Sequence, residues 1–518
     1  MHSAVRRFLV VSLAVLAWIV VIGVVLETYS RYRFSDNPFG VNTLNEIVFE
    51  PELGWIGRAN LRTRSSHGDY PIPVPVSINM DGFRDDDWDE KLRRARDTHS
   101  KKILLIGDSW LYGWGSEKSE RLSESLAHRY RLAGMPVEVF NAGIPAFGAP
   151  QERRVLPRLL DRVKPDVVAL LFCPNDYGDT ALPYDHRYAS TRVYKPFYDP
   201  QGELILNERV PQRPSLLVKD SWLGFLRLWY AVDVFYYAWQ DRLYTRHGVP
   251  EAADFPVPVH RLDDLLFQDR THPVFQTVER TVMRLYRDMH AIVRERGARF
   301  FVIAGYPSSD PVIALKIHDL GIDLVSFPSA SRSVLPWTAI YQDGHPNFLW
   351  SWMLSGSVFS YVEKKDTQPD FAGMPSLAGM PSKLLLNTDD PSAKYLTGTW
   401  GPPESKARWA LEGGRSRTGA TPRFMVRAPD AGSGRGRVKI VAWAPHDQPL
   451  SVFDHQGREL CRWTITSERY DYECEVTPDR TGLFLGKLTS PQRAVRTVGV
   501  PQEQDPQRLA AITSISIE

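Results

Sequence analysis

A chain of 518 residues, 43% hydrophobic and 24% charged, has the composition of globular protein and is too long for one typical domain, so two or three folded units are expected. Its 63 basic and 61 acidic residues leave a net charge of +2, and they form no basic stripe, which argues against a nucleic-acid partner. No metal-ligand spacing, phosphate-cradling glycine loop or nucleotide fingerprint occurs, so neither a metal nor a cofactor is expected.

The chain starts with Arg6 and Arg7 followed by Phe8 to Leu26, 19 residues without a charge, long enough to cross a bilayer as a helix. The run exceeds the usual core of a signal peptide and no Ala-x-Ala-like cleavage site follows, which favours an uncleaved signal anchor over residues 1–33. Arg31 and Arg33 nearly balance Arg6 and Arg7 in the positive-inside count, and a short cytoplasmic stub with the body outside the cytoplasmic membrane is the preferred orientation. Residues 34–98 are polar and turn-rich, with extended pieces such as Tyr70 to Ile78, and are expected to pack on the next domain.

From Lys101 the pattern turns to strand–helix alternation. Strands are predicted at Ile103–Ile106, Val137–Phe140, Val167–Phe172, Phe300–Ile303 and Leu324–Ser326, with helices at Ser119–Leu132, Pro150–Val163, Val274–Arg296 and after Pro346. Such alternation predicts an α/β domain over 99–364, a mostly parallel sheet with helices on both faces. An insertion at 177–273 interrupts it. Its core, Trp222 to Trp239, is aromatic on nearly every face and reads as a buried helix, or as a lid or glycan-stacking wall. Residues 365–394 read as a linker, with Ala-Gly-Met-Pro-Ser at 372–376 and again at 378–382.

Beyond the linker, 395–518 shows short strands broken by Gly and Pro: Arg437–Ala442, Leu450–Phe453, Cys461–Ile465, Tyr472–Val476, Leu483–Leu488 and Ile512–Ile517. These predict an antiparallel β-sandwich, and the stretch Trp400 to Trp409, the turn Asp454-His455-Gln456-Gly457 and the ending Asp505-Pro506-Gln507-Arg508-Leu509 before a final strand resemble the jelly-roll modules attached to glycan-active proteins. Cys173, in an apolar strand, reads as a buried small hydrophobe. Cys461 and Cys474 flank two short strands and a turn, so their sulfurs either meet across a hairpin or stay thiols. A bridge there would imply an oxidising compartment.

Chemistry concentrates at the ends of the predicted strands. Gly107-Asp108-Ser109 ends the first, Asn141-Ala142-Gly143 the second and Pro174-Asn175-Asp176 the third, and Asp343-Gly344-His345-Pro346-Asn347 closes the α/β pattern. Ligands of open α/β sheets bind beyond the carboxyl ends of the strands, where these motifs fall. Each motif alone has a plain structural explanation. Asp-Ser after a strand is a common helix cap, Gly143 a turn residue, Asn175-Asp176 a polar loop and His345-Pro346 a helix entry.

Taken in order, the four resemble the SGNH (GDSL-type) hydrolase family over about residues 100–360, with a flavodoxin-like sheet as the implied fold. The resemblance implies that Ser109 attacks an acyl carbonyl, His345 takes its proton and Asp343 orients the imidazole. It implies an oxyanion hole built from the backbone N–H of Ser109, the backbone N–H of Gly143 and the side-chain amide of Asn175. Gly107, Asp108 and Asp176 would support these loops, and Trp110, Tyr112 and Trp114 would line an acyl or sugar pocket or belong to the core. The chain departs from the family at two places. Many relatives carry the aspartate three residues before the histidine, where Gln342 stands here, and Cys173 replaces a glycine two residues before the asparagine.

The function expected from this combination is a membrane-anchored extracytoplasmic serine esterase that removes O-acetyl or other short acyl groups from a polysaccharide or glycan, with polysaccharide-biosynthesis proteins as candidate partners. The same residues would serve an O-acetyltransferase if a sugar hydroxyl captured the acyl-enzyme. A lipase or a non-catalytic glycan-binding scaffold would also be compatible with this sequence.

Overall fold

The computed structural model describes residues 2–33, 46–50, 52–65, 73–181, 195–198, 204–205, 271–305, 311–327, 334–335, 337–339, 345–365, 371–377, 380–385, 395–397, 408–411, 422–429, 434–444, 447–489 and 508–518. Asp343 and the aromatic run Trp222 to Trp239 lie outside them. Contacts divide the chain into two units, one of Met1–Arg58, Gly148–Leu156 and Pro174–Tyr286, the other of Ala59–Phe147, Pro157–Cys173 and Arg287–Glu518.

The first unit carries α1 (His2–Arg33), within which Val10–Ser30 has a mean hydropathy of 2.7 and exposes its large apolar side chains. This helix is long and apolar enough to span a bilayer, and a signal sequence would pass the same test. The unit also holds a hairpin of Ile47–Glu50 with Gly54–Gly57.

The second unit is built on five parallel strands: β1 (Lys101–Gly107), β2 (Val137–Gly143), β3 (Val167–Phe172), β4 (Arg299–Ala304) and β5 (Asp323–Ser326). Their spatial order is β2-β1-β3-β4-β5. That is the flavodoxin-like order of a doubly wound sheet, whose direction of winding reverses between β1 and β3. Every residue of β3 is buried, which explains why its sequence, Val-Val-Ala-Leu-Leu-Phe, shows no alternation: a central parallel strand is apolar on both faces.

Six further helices flank the motifs along the chain: α2 (Trp88–Asp97), α3 (Ser109–Tyr112), α4 (Leu122–Leu132), α5 (Ala149–Val163), α6 (Asp176–Ala181) and α7 (Pro273–Glu295). Two more, α8 (Pro311–Asp319) and α9 (Phe348–Glu363), follow β4 and β5. Helices α4 and α9 pack together through Arg129, whose guanidinium lies 3.6 Å from the Trp352 ring and donates to Ser355 Oγ and to the Trp352 carbonyl, both at 2.8 Å. Burial drops the Arg129 pKa to about 10, still well above neutrality, so the cation persists there.

The single predicted helix at Ser119–Leu132 is divided. A 3-10 turn at Lys118–Glu120 precedes α4, and Arg121 between them is extended with ψ 155°. The sequence pattern predicts neither α2 nor α8. Helix α2 is strongly charged (Trp-Asp-Glu-Lys-Leu-Arg-Arg-Ala-Arg-Asp) and sits in a stretch whose composition suggests turns and extended chain. A side-chain cap starts it, with Asp87 accepting from the Glu90 N–H at 3.0 Å, and its few apolar residues do the packing. Trp88 stacks on Phe83 with ring centroids 4.8 Å apart and meets Phe140 of β2 edge-on.

After α9 come ten strands among the described residues: β6 (Lys383–Leu385), β7 (Leu396–Thr397), β8 (Arg408–Leu411), β9 (Arg423–Arg427), β10 (Gly436–Trp443), β11 (Gln448–Phe453), β12 (Glu459–Ile465), β13 (Tyr470–Val476), β14 (Leu483–Thr489) and β15 (Arg508–Ile517). They form two antiparallel sheets, β6-β15-β10-β13 with β8 also on β15, and β7-β9-β14-β11-β12. Cys461 and Cys474 are bridged. The bond does not staple a hairpin ladder as the spacing suggests: β12 and β13 follow each other in the chain but end different sheets, so the disulfide ties the free margin of one sheet to that of the other.

The stretch predicted as a linker is packed where it is described. Met374 and Met380, the methionines of the two Ala-Gly-Met-Pro-Ser copies, are 4% and 7% exposed. The Leu377 carbonyl between them accepts from Arg427 of β9 at 2.7 Å. The sheets also reach the α/β part directly, with Trp337 Nε1 donating to the Gly486 carbonyl at 3.2 Å and Phe348 edge-on to Tyr395.

Candidate active site

The strand-to-helix turn after β1 is tight because Gly107 permits it. A Cβ on Gly107 would stand 3.1 Å from Leu171 Cβ of β3 and 3.3 Å from Leu111 Cβ. Asp108 then caps the single turn of α3, its Oδ1 accepting from the Trp110 N–H at 2.9 Å, as short polar side chains do at this position. Ser109 is 5% exposed, and its backbone N–H has no acceptor among the described residues. A buried N–H without an acceptor is rare. Ser109 Oγ lies 2.9 Å from His345 Nε2 and 3.4 Å from Asp108 Oδ2.

His345 reaches the serine from the entry of α9. Asn347, two residues on, caps that helix, its Oδ1 accepting from the Leu349 N–H at 3.0 Å while its Nδ2 donates to the Trp337 carbonyl at 2.7 Å. Pro346 forms an isolated bridge with Ala339. The Pro-Asn of the motif therefore serves to hold the loop that presents the histidine.

Beneath the Ser109 turn runs a buried polar framework that the sequence motifs do not announce. Arg84, 2% exposed, donates to the carbonyls of Gly113, Ser116 and Pro75 at 2.5, 2.7 and 2.9 Å and lies over the Tyr112 ring. Asp85 accepts from Lys91 Nζ at 2.6 Å, from Trp88 Nε1 at 2.8 Å and from the Asn141 N–H at 3.0 Å. Lys91 also donates to the Val139 carbonyl of β2. Asn141 Nδ2 in turn donates to the Leu111 carbonyl at 2.9 Å and to Ser123 Oγ at 3.1 Å. The one signal for it in the sequence is a pair of apolar residues, Phe83 and Trp88, bracketing the charged run Arg84 to Asp87, an arrangement a solvated loop does not need.

Gly143 is needed for close approach rather than for its N–H. The Gly143 N–H donates to Asn141 Oδ1 at 2.9 Å, which removes it, in this structure, from the oxyanion donors that the family resemblance implies. A Cβ at this position would lie 2.4 Å from the Tyr112 N and 2.7 Å from the Leu111 carbonyl carbon. Gly143→Ala is expected to force β2 and α3 apart, costing roughly 1–3 kcal/mol of stability as overpacking does. Denaturant unfolding beside the parent measures it, and an unchanged midpoint would show that the turn relaxes freely.

The aromatic residues after the serine face different neighbours. Trp110 packs edge-on to Trp350 at 5.8 Å, against Gly305, where a Cβ would come within 2.8 Å of the Trp110 ring. Tyr112 is 3% exposed under the Arg84 guanidinium. Trp114 is 4% exposed and stacks on the His345 ring, centroids 5.7 Å apart and planes 23° from parallel. Cys173 is fully buried, as its apolar strand implies, and its thiol donates to Asp108 Oδ1 at 3.2 Å.

Asn175 and Asp176 belong to the other unit. There Asn175 Nδ2 donates to Asp179 Oδ2 at 2.8 Å, and Asp179 is ion-paired with the buried Lys195 at 2.9 Å. A carboxylate only accepts, so this pairing decides which end of the amide is nitrogen. Asp176 accepts from the Tyr286 hydroxyl at 2.9 Å. Burial, with the carboxylates of Asp176 and Glu152, pushes the Tyr286 phenol well above its ordinary range, so it stays a donor. Among the described residues no three His, Cys, Asp or Glu side chains are grouped to hold a metal ion.

No family model matches the chain, and no curated protein matches it. Solved structures do match, each over about half of it. The structure of TesA is 15% identical and covers 51% of this chain and 99% of its own, with a TM-score of 0.29. The psychrotrophic esterase EstA from Pseudoalteromonas sp. is 11% identical, covers 51% of this chain and 98% of its own, and has a TM-score of 0.28. A family 3 carbohydrate esterase of Clostridium thermocellum is 13% identical, covers 51% of this chain and 96% of its own, and has a TM-score of 0.26. At these scores the likenesses carry no argument about chemistry, which has to come from the residues around Ser109.

Proposed function

We propose that the protein is a serine esterase that removes short acyl groups, O-acetyl above all, from a polysaccharide or other glycan, anchored by α1 with its body outside the cytoplasm. The observation that carries the reading is the 2.9 Å contact between Ser109 Oγ and His345 Nε2 at the carboxyl end of β1, the arrangement in which an imidazole can take the proton of an attacking hydroxyl. The low exposure of Ser109 favours a small acyl group. The antiparallel sheets after α9 support a polymeric substrate, and the Cys461–Cys474 bridge supports an oxidising compartment.

In this reading Ser109 Oγ bonds to the acyl carbon as its proton passes to His345 Nε2, and the carbonyl electron pair moves onto oxygen. The Ser109 N–H meets that charge, while Asp343 steadies the imidazolium. Collapse breaks the bond to the sugar oxygen, which leaves with the proton from His345. Water then bonds to the acyl carbon as its proton passes to the same base, and collapse breaks the bond to Ser109 Oγ, which takes that proton as the carboxylic acid leaves.

The test is mass spectrometry of the full chain, in detergent, after treatment with a phosphonate ester. An adduct on Ser109 together with hydrolysis of p-nitrophenyl acetate is expected, and neither appearing would overturn the reading. Adding acetyl donor with oligosaccharide separates hydrolysis from transfer, since acetylated sugar would mark a transferase.

A further inference from the structure

The base described above has an aromatic neighbour whose position is more specific than packing requires. Trp114 follows Gly113, the left-handed residue (φ 76°) that ends α3. Arg121 fills the space a Cβ on Gly113 would take, 2.4 Å away at its Cγ, and the Trp114 N–H donates back to the Ser109 carbonyl at 3.1 Å. The turn that exposes the nucleophile thus also aims the indole, which lies nearly parallel to the His345 ring at 5.7 Å. The face of an indole carries negative charge density and attracts a cation within about 6 Å. His345 is neutral when it accepts the Ser109 proton and cationic afterwards, so this attraction exists in the acylation transition state and is absent before it.

We propose that Trp114 is a positioning residue for the general base, holding the His345 ring edge toward Ser109 and stabilising the imidazolium that forms on proton transfer. This rests on the esterase reading for its catalytic meaning, though not for its physical content. The charged groups around the pair, among the described residues, are Asp108 beside the serine, and Arg84 and Arg121 beneath the Gly113 turn. None of these groups changes when Trp114 is replaced.

The experiment is the pH dependence of His345 carbethoxylation by diethyl pyrocarbonate, read by peptide mass spectrometry on the full chain in detergent. Only the neutral imidazole reacts, so the midpoint reports its protonation whether or not any ester is turned over. Trp114→Leu keeps an apolar side chain and removes the π face. Its midpoint is expected to fall by about half a pH unit to one unit, the size of a cation–π contribution. Trp114→Phe, which also guards against a leucine variant that fails to fold, should fall by less. Where turnover is measurable, the acid limb of kcat/KM should move to lower pH with the midpoint, and kcat should drop several-fold with KM little changed. A purely structural Trp114 predicts the opposite sign, because its loss admits water, which solvates the cation and raises the midpoint. An unchanged or raised midpoint in both variants would overturn the proposal. A lowered midpoint without turnover in the parent would keep it and sink the esterase reading instead.

Discussion

Ester turnover by the Ser109→Ala protein is expected to fall by about 10⁴-fold or more, leaving only what binding and the remaining oxyanion donors supply. His345→Ala should cost a similar factor, because its Nε2 stands 2.9 Å from the serine oxygen, closer than the Asp108 carboxylate at 3.4 Å. The double variant distinguishes a working pair from two coincidental neighbours. Groups that act as one unit lose their effect once, so Ser109→Ala with His345→Ala should be no slower than the slower single change. Independent, multiplying losses measured with p-nitrophenyl acetate would show that the two residues serve different steps.

The second large effect is on stability. Lys91 and Asp85 form a buried ion pair at 2.6 Å, with side chains 6% and 0% exposed, and such pairs are costly to break because the surviving charge stays out of water. Lys91→Met is expected to destabilise the α/β part by roughly 3–5 kcal/mol. The loss should propagate to the site, since the same Asp85 carboxylate holds the Asn141 N–H, and Asn141 holds the Leu111 carbonyl of α3. Urea unfolding beside Asp86→Ala supplies the contrast, because the Asp86–Lys118 pair is half exposed and surface pairs contribute only about 0–1 kcal/mol. Equal midpoints for the two variants would mean that water reaches Asp85 and that the pair is no anchor.

What could be read from sequence follows from what is local. The five parallel strands were legible because each is a short apolar run ended by a glycine or polar turn, and β3 is apolar throughout for the reason that it is central. The contact between Ser109 and His345 was legible because the roles proposed for them, nucleophile and base, need particular residue types at strand ends, whatever the rest of the chain does. Arg84, Asp85 and Lys91 were not, since charged residues in a turn-rich stretch look solvated until the partners that bury them are known, and those partners are main-chain carbonyls with no sequence signature. Gly143 shows the limit from the other side. A glycine at that place is expected for its N–H, whereas what demands it is the α3 backbone pressing against it. The disulfide pairing was within reach of spacing alone, but not that its two strands would leave the hairpin for different sheets.

The buried methionines of the repeated Ala-Gly-Met-Pro-Ser segment, with Trp337 on the Gly486 carbonyl, bind the last part of the chain to a part synthesised earlier. A protein made from its amino end delivers the strand that leads to Ser109 early and the strands carrying Phe424 and Gly486 late. During that interval Trp337 and Phe348 lack the Gly486 carbonyl and the Tyr395 ring that they later meet, and the half-made protein is a client for whatever holds unfolded chains. The C-terminal sheets thus belong to the maturation of the site as well as to its surroundings, and a chain cut at the segment between them would strand the earlier half in that waiting state.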